Sequence, residues 1–374
     1  ELFSGKDNRR LSFFVYLGNT NCYNLALKKV SLTVINDLVT DNRVHKVAVS
    51  LMKMGFEPVL IGRVLPDSLP VSRVYETRRL RLLFRKGFLF YLEYNFRLLI
   101  LFLTTKIDVF VANDLDTLTA NYLASRIKRK PLIYDSHEYF TELPELVNRP
   151  FVKWIWSWLE RKMVPKVDAA YTVCESIAEV YVKLYDVDFK VVRNLPNIKD
   201  PFALTDGIDE NKIPKVVLYQ GSLNLGRGLE TVIQSMLFLE NAELWIAGGG
   251  DIAGSLKKLA DQLKLNDRVK FLGRLPLDEI EKITCRADLG ISLEEDLGLN
   301  YRYALPNKLF DYIKGGIPVL VSNLPEMRKV IEHYQIGAIS QSNEPEQLAK
   351  ILRHALFDQE IRAVWRKNLI VAAK

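Results

Sequence analysis

This chain predicts an α/β protein made of two Rossmann-like, doubly wound parallel-sheet domains facing a cleft. Short apolar runs rich in β-branched residues alternate with helical periodicity along almost its whole length, the pattern of parallel strands covered by helices on both faces. The alternation stops once, over Pro196–Lys215, where three prolines and few periodic apolar positions mark a linker. The length of 374 residues gives room for two or three domains of ordinary size. A hydrophobic content of 48% with 26% charged residues excludes disordered, collagen-like and disulfide-scaffold classes.

The elements follow in order. Residues 1–28 show no clear periodicity and lack the basic, apolar and small-residue regions of a signal peptide, so they are set apart as an extension without assignment. The first domain is expected over 29–198. KKVSLTVI (Lys28–Ile35) reads as its first strand. The next helix carries Val44, Val47, Ala48 and Leu51 at helical spacing, with Thr40 or Asp41 to cap it and Gly55 after it. A strand from Pro58, a basic helical region over about 76–103, the strand IDVFVA, a helix near 116–127 and the strand PLIYD follow. The linker is placed at 199–214 and the second domain at 215–374. There KVVLYQG, ELWIAGGG, VKFLG, DLGISL and PVLVS are strands, separated by helices from Leu229, near 253–264, near 277–286 and near 307–314, with a further helix from Pro325. The chain begins at Glu1 and ends at Lys374 inside a helical pattern, so a fragment is expected at one or both ends.

Charge is unevenly spread. Residues 1–200 hold 30 Lys and Arg against 22 Asp and Glu, whereas the remainder holds 22 against 23. The basic segment Arg73–Arg97 interleaves its cations with Phe84, Phe88, Phe90, Tyr91, Tyr94 and Phe96. It reads either as a membrane-surface helix drawn to anionic lipid or as an ordinary helix with its basic side in water. No recognised DNA or RNA motif accompanies it, so nucleic acid is not an expected partner. The most apolar stretch, Gly87–Leu103, is broken by Glu93, Asn95 and Arg97 and does not read as a membrane span. The three cysteines are isolated, which fits a reducing cytosol and no zinc ribbon.

In parallel sheets ligands sit beyond the carboxyl ends of the strands, so chemistry is sought in the loops there. Asp41 and Arg43 stand where the first such loop enters a helix; capping by Asp41 is the plain alternative. His137 follows the strand PLIY between Asp135 and Glu138, and can donate to a substrate oxygen or a developing charge; a loop histidine at a helix start is the alternative. YQGSLNLGRGLE (Tyr219–Glu230) joins a glycine-rich turn to Arg227, which suits a diphosphate, and it is not a Walker sequence. IAGGGD (Ile246–Asp251) is either a backbone ligand platform or a tight turn. SLEEDLGLNYRYALPNKLFD (Ser292–Asp311) ends a strand in Glu294, Glu295 and Asp296 and opens a helix with Pro306, Asn307 and Lys308. A lysine there opposes the helix dipole unless an anion sits beside it. Asp311 shares its helix face, and an exposed i,i+3 pair is the alternative.

Taken as an ordered set, YQGSLNLGRGLE, IAGGGD, VKFLGRLP, ADLGISLEE, LPNKLFDYIKGGIPVLVS and LPEMRKVIE resemble the group 1, or family 4-like, glycosyltransferases of the GT-B fold. The resemblance spans roughly Lys29 to the end. It implies metal-independent transfer from a nucleotide-sugar to a glycan or lipid-linked acceptor, usually with retention, and no cofactor. It implies His137 and Asp311 as catalytic residues. Gly221, Ser222, Arg227, Asn307 and Lys308 would meet the donor diphosphate, and Gly249, Glu294, Glu295 and Asp311 its nucleoside and sugar. Asp41, Arg43 and Glu138 would lie on the acceptor side. Work in surface polysaccharide or cell-envelope synthesis is implied, in the cytoplasm and on the inner face of the membrane through 76–103. The chain departs from the family where a pair of glutamates is usual: Asp311 stands at the second and Tyr303 at the first, with Glu294 and Glu295 the nearby carboxylates. Ser222 stands where an arginine is common. A non-catalytic nucleotide-sugar-binding protein and a GT-B nucleotide-sugar epimerase are the alternatives. No motif reports the sugar, the base, the acceptor or the oligomeric state.

Overall fold

The computed structural model describes residues 28–39, 41–66, 68–143, 146, 149–196 and 213–374. Nearly all of the predicted extension, Thr40 as a cap, and most of the linker lie outside these residues. The described chain forms two compact units that divide between Asn194 and Leu195.

The first unit is a parallel sheet built from β1 (Lys29–Asp37), β2 (Glu57–Arg63), β3 (Glu76–Leu80), β4 (Val109–Asn113), β5 (Leu132–Ser136), β6 (Ala169–Thr172) and β7 (Phe189–Val191). The spatial order is β3-β2-β1-β4-β5-β6-β7. The central strands are buried on both faces, so they are nearly continuous apolar runs. Helix α1 (Asn42–Lys53) lays Val44, Ala48 and Leu51 on Val30, Leu32 and Val34 of β1. Helices α2 (Gly87–Thr104), α3 (Leu115–Lys128), α4 (Pro150–Met163) and α5 (Glu175–Tyr185) complete the cover. The segment after β5, which the sequence pattern left unassigned, supplies α4, β6, α5 and β7.

The expected single basic helix over 76–103 is corrected. Residues 76–80 are the edge strand β3, paired in parallel with β2, and the helix begins only at Gly87. The cations there have strand-edge partners: Arg78 bonds Glu76 and Thr105, and Arg79 donates to the carbonyl of Leu69. Among the described residues α2 alone is long and apolar enough to cross a membrane, by length and composition. One of its faces is nonetheless locked into the unit. Phe90, Tyr94, Leu98 and Phe102 are buried, and the Tyr94 hydroxyl donates to the carbonyl of Val34 at 2.6 Å.

The second unit repeats the plan. Its strands are β8 (Lys215–Gln220), β9 (Ala242–Ala247), β10 (Val269–Gly273), β11 (Leu289–Ser292), β12 (Val319–Ser322) and β13 (Gly337–Ser340), in the parallel order β10-β9-β8-β11-β12-β13. The helices are α6 (Leu229–Ser235), α7 (Ala253–Gln262), α8 (Leu277–Arg286), α9 (Leu299–Arg302), α10 (Asn307–Lys314), α11 (Pro325–Tyr334), α12 (Pro345–Phe357) and α13 (Gln359–Ala372). Helix α13 is fixed to this unit by Leu369 and Ala372 in its core, and by buried Arg362, which donates to the carbonyls of Asp288 and Ala355. In each sheet the strand order reverses once, between β1 and β4 and between β8 and β11. A doubly wound sheet opens a ligand crevice beyond the carboxyl ends at that point.

Candidate active site

At the reversal point of the first sheet, the carboxyl ends of β1, β4 and β5 and the segments after them bring Arg43, Asp114, Asp116, Asp135 and His137 together. Asp41 caps α1, accepting from the Val44 amide at 3.1 Å, so the capping alternative holds for it. Arg43, one residue into the helix, turns inward and pairs with buried Asp135 at the end of β5. Burial pushes the Asp135 carboxyl up, and Arg43 and His137 only partly counter it. His137 follows, half-buried, with Glu138 exposed beside it. Its ring Nδ1 lies 2.7 Å from a carboxylate oxygen of Asp114, and its backbone N–H donates to the other oxygen at 3.2 Å. Burial and the Arg43 charge push the imidazole pKa down, but Asp114 and then Asp135 outweigh them and hold it above its ordinary value. Asp116, two residues after Asp114, is buried, and desolvation with the neighbouring Asp114 charge raises its carboxyl far above the usual range. The structure thus brings Arg43 and His137 together around Asp135 and Asp114.

Asp114 was not predicted. An acid before a helix reads as a cap. It does occupy the capping position of α3, but its side chain makes no capping bond and turns to His137 instead.

In the second unit the glycine-rich loop after β8 faces the segment after β11. Gly228 has φ +68°, and a Cβ there would collide with the Leu293 carbonyl, so only glycine lets the two segments meet. Gly221 and Ser222 are exposed, and the Ser222 carbonyl accepts from Tyr219. Gly249 lies under Arg274. A Cβ at its neighbour Gly248 would strike the Gly221 carbonyl, so the IAGGGD turn is packed against the first loop. Arg227 reaches the Glu294 carboxylate at 3.4 Å and sits over the Tyr301 ring. Asn307 is exposed at the first residue of α10, while Lys308 is buried with its Nζ 2.7 Å from Glu294 and 4.1 Å from the Tyr219 ring centre.

One alternative and one expectation are corrected here. Lys308 and Asp311 are not an exposed pair. Lys308 is buried on Glu294, and Asp311 is half-buried and accepts from the Gln220 side-chain Nε2 at 3.0 Å. Glu294 does not offer itself to a nucleoside, because its side chain is fully buried. It receives Lys308, Arg227 and, at 2.7 Å, the Ser292 hydroxyl. Burial pushes its carboxyl up, but Lys308, the Ser292 hydroxyl and Arg227 hold it below the usual range. The conflict between Lys308 and the helix dipole is therefore relieved inside the protein. Glu295, next along, is half-buried, its amide bound to the Gly226 carbonyl, and burial with Glu230 raises its carboxyl. Among the described residues there is no cluster of three or more side chains suited to hold a metal ion.

Residues 41–201 match Glycosyltransferase Family 4, and residues 205–370 match Glycosyl transferases group 1. An uncharacterized glycosyltransferase of Methanocaldococcus jannaschii is 28% identical over 166 residues, covering 43% of this chain and 40% of that protein. The chitobiosyldiphosphodolichol beta-mannosyltransferase of Candida albicans is 24% identical over 239 residues, covering 58% of this chain and 51% of that protein. The matches thus span about half the length of these curated relatives or less. Among solved structures, sucrose-phosphate synthase from Thermosynechococcus elongatus superposes with a TM-score of 0.76 at 15% identity, covering 92% of this chain and 94% of that one. The Anabaena protein HepE in complex with UDP does so at 0.69 and 15% identity, covering 93% and 94%. These likenesses share the fold. The two family matches account for both halves of the chain, which belongs to the group 1, family 4-like glycosyltransferases of the GT-B fold.

Proposed function

We propose that the protein transfers a sugar from a nucleoside-diphosphate sugar to a glycan or lipid-linked acceptor, with retention, in envelope or surface-polysaccharide synthesis. The observation that carries this reading is the pair of cations, Arg227 and Lys308, at the reversal point of the second sheet. With the glycine loop and the first turn of α10 they form an environment for a diphosphate, whose charge grows as the bond to the anomeric carbon breaks. Fixed cations in a poorly solvated site stabilise that charge strongly. Asp311 is a hydrogen-bond acceptor for hydroxyls of the donor. His137, whose pKa Asp114 holds above its ordinary value, donates to a sugar oxygen or to the developing charge. HepE, of the same fold, binds UDP, which makes UDP-sugars the first donors to try.

The reading extends to an anionic membrane surface on the cytoplasmic face, where a lipid-linked acceptor would lie. The outer face of α2 exposes Phe88, Leu92, Phe96 and Ile100, and α4 exposes Phe151, Trp154 and Trp158. The helices adjoin where Tyr91 meets the Trp156 ring edge-on at 5.1 Å. Exposed Arg81, Arg85 and Lys86 precede α2, and Arg161 and Lys162 end α4. Apolar rings flanked by cations complement an anionic bilayer.

The test is a thermal-shift panel of UDP-, GDP- and ADP-sugars. At least one is expected to raise the melting temperature of the wild type, and less so that of Arg227→Gln. No shift with any of them would overturn the reading. With a binding donor in hand, His137→Ala should lose transfer and keep binding.

A further inference from the structure

We propose that Asp114 is the positioning residue for His137, one carboxylate accepting the histidine's backbone N–H and setting its charge against the ring Nδ1, so that Nε2 is presented to substrate. The inference rests on the catalytic reading of His137 given above. Three independent features meet at Asp114. Its Oδ1 accepts the His137 amide at 3.2 Å, and its Oδ2 lies 2.7 Å from Nδ1. Its backbone holds φ +63° and ψ 168°, a region that residues with a Cβ rarely occupy. Its own amide donates to the Asp135 carbonyl at 2.7 Å, which fixes the loop after β4 to the end of β5.

Strain of this kind persists only where surroundings enforce it. A cap would account for an aspartate here, yet the side chain makes no capping bond. The carboxylate is committed instead to the one histidine at the strand ends. A carboxylate on Nδ1 orients an imidazole and selects its proton arrangement, leaving Nε2 for the reacting partner. The charged groups around the ring are Arg43 from α1, Asp116 from α3, Asp135 from β5 and Glu138 beside it. Asp114 stands beside them with two contacts of its own to the histidine, one to the ring and one to the backbone.

The experiment uses 13C-histidine-labelled full chain, in which only four histidines need assignment. Asp114→Asn should lower the His137 titration midpoint by about one unit or more, since it removes the adjoining charge. Turnover, read as nucleoside diphosphate released from a donor that binds in the panel, should fall on the order of 100-fold or more, with KM within about threefold. Its alkaline limb should move to lower pH, because protonated His137 is the donor form. Asp114→Glu should restore part of the rate. Asp114→Gly guards against misfolding: glycine accepts this backbone, so the melting temperature should hold or rise while turnover falls. A purely structural Asp114 predicts the reverse. An unmoved His137 titration in Asp114→Asn would overturn the proposal. So would a turnover in Asp114→Asn or Asp114→Gly equal to wild type while His137→Ala is inactive. If His137→Ala keeps its turnover, the catalytic reading fails, and an unchanged titration midpoint in Asp114→Asn would still be needed to remove the grip itself.

Discussion

The two units share one topology and solve opposite electrostatic problems. The first lies in the basic half of the chain, yet its reversal point gathers Asp114, Asp116 and Asp135 around one arginine and one histidine. The second lies in the nearly neutral half, yet its reversal point sets two cations around one buried carboxylate. Bulk charge and site charge are therefore inverted. The excess cations of the first half lie largely on surfaces such as 81–86 and the ends of helices. The charges at the two reversal points are a few wholly or partly buried groups whose values are set by their immediate neighbours.

The contrast is broken most directly at Lys308. Lys308→Met leaves Glu294 buried without its closest cation, and breaking a buried pair from one side costs roughly 3–5 kcal/mol. Donor affinity should also fall sharply. Lys308→Met with Glu294→Gln should recover most of the stability, because no uncompensated charge remains, but not the affinity. Thermal unfolding with and without UDP-glucose separates the two effects. A double variant that binds UDP-glucose as the wild type does would show that the cation serves the fold alone.

Much of this architecture was legible beforehand, for reasons that differ between the units. The alternation of apolar strands and amphipathic helices predicted both sheets, since parallel strands buried on both faces have no other way to read. Lys308 announced itself because a lysine at a helix start breaks a local rule. Its partner Glu294 did not, since three acids in a row after a strand look alike until burial selects one. The segment 76–80 has intermediate burial throughout and carries two arginines, so its pattern could not tell an edge strand from a helix face. Asp114 was hidden for a related reason: the side-chain type expected of a cap was present, while the backbone turn that frees it for His137 leaves no mark in sequence.

A second contrast sets Glu160 of α4 against Glu294. Glu160 is buried with hydroxyls from Tyr181 and Tyr185 at 2.9 and 2.7 Å, and burial carries its pKa up to about 7. Glu294 is held low by its cations. The signs are opposite. A carboxyl with a raised native pKa contributes stability that is complete below its unfolded value near 4.5 and lost as pH rises through 7. A depressed one contributes stability above its unfolded value that is lost as pH falls. Between pH 5 and 8 the first unit should lose about 2–3 kcal/mol, most of the equivalent of that shift. Glu160→Gln should flatten the dependence. Unfolding followed through the tryptophans of α4, Trp154, Trp156 and Trp158, reports on this unit. A slope unchanged by Glu160→Gln would assign the pH response elsewhere.

The smallest effect on stability is expected on the outer faces of α2 and α4, and it sharpens the distinction between surface and site charge. Phe88→Ser with Phe96→Ser removes two rings that are 68% and 62% exposed, so stability should change by less than about 0.5 kcal/mol. Flotation with vesicles of anionic lipid should fall several-fold, because apolar insertion and charge act together in interfacial binding. Arg81→Gln with Arg85→Gln should reduce flotation on anionic vesicles and leave neutral ones unaffected, since each cation near such a surface contributes about 1 kcal/mol. The same substitutions at Arg78 and Arg79 should do less, since both side chains are engaged at the edge strand. Equal losses from both pairs would mean that the total charge of the half attracts the bilayer, and the division between paired and free cations would fall. Full flotation in every variant would remove this face from the membrane altogether.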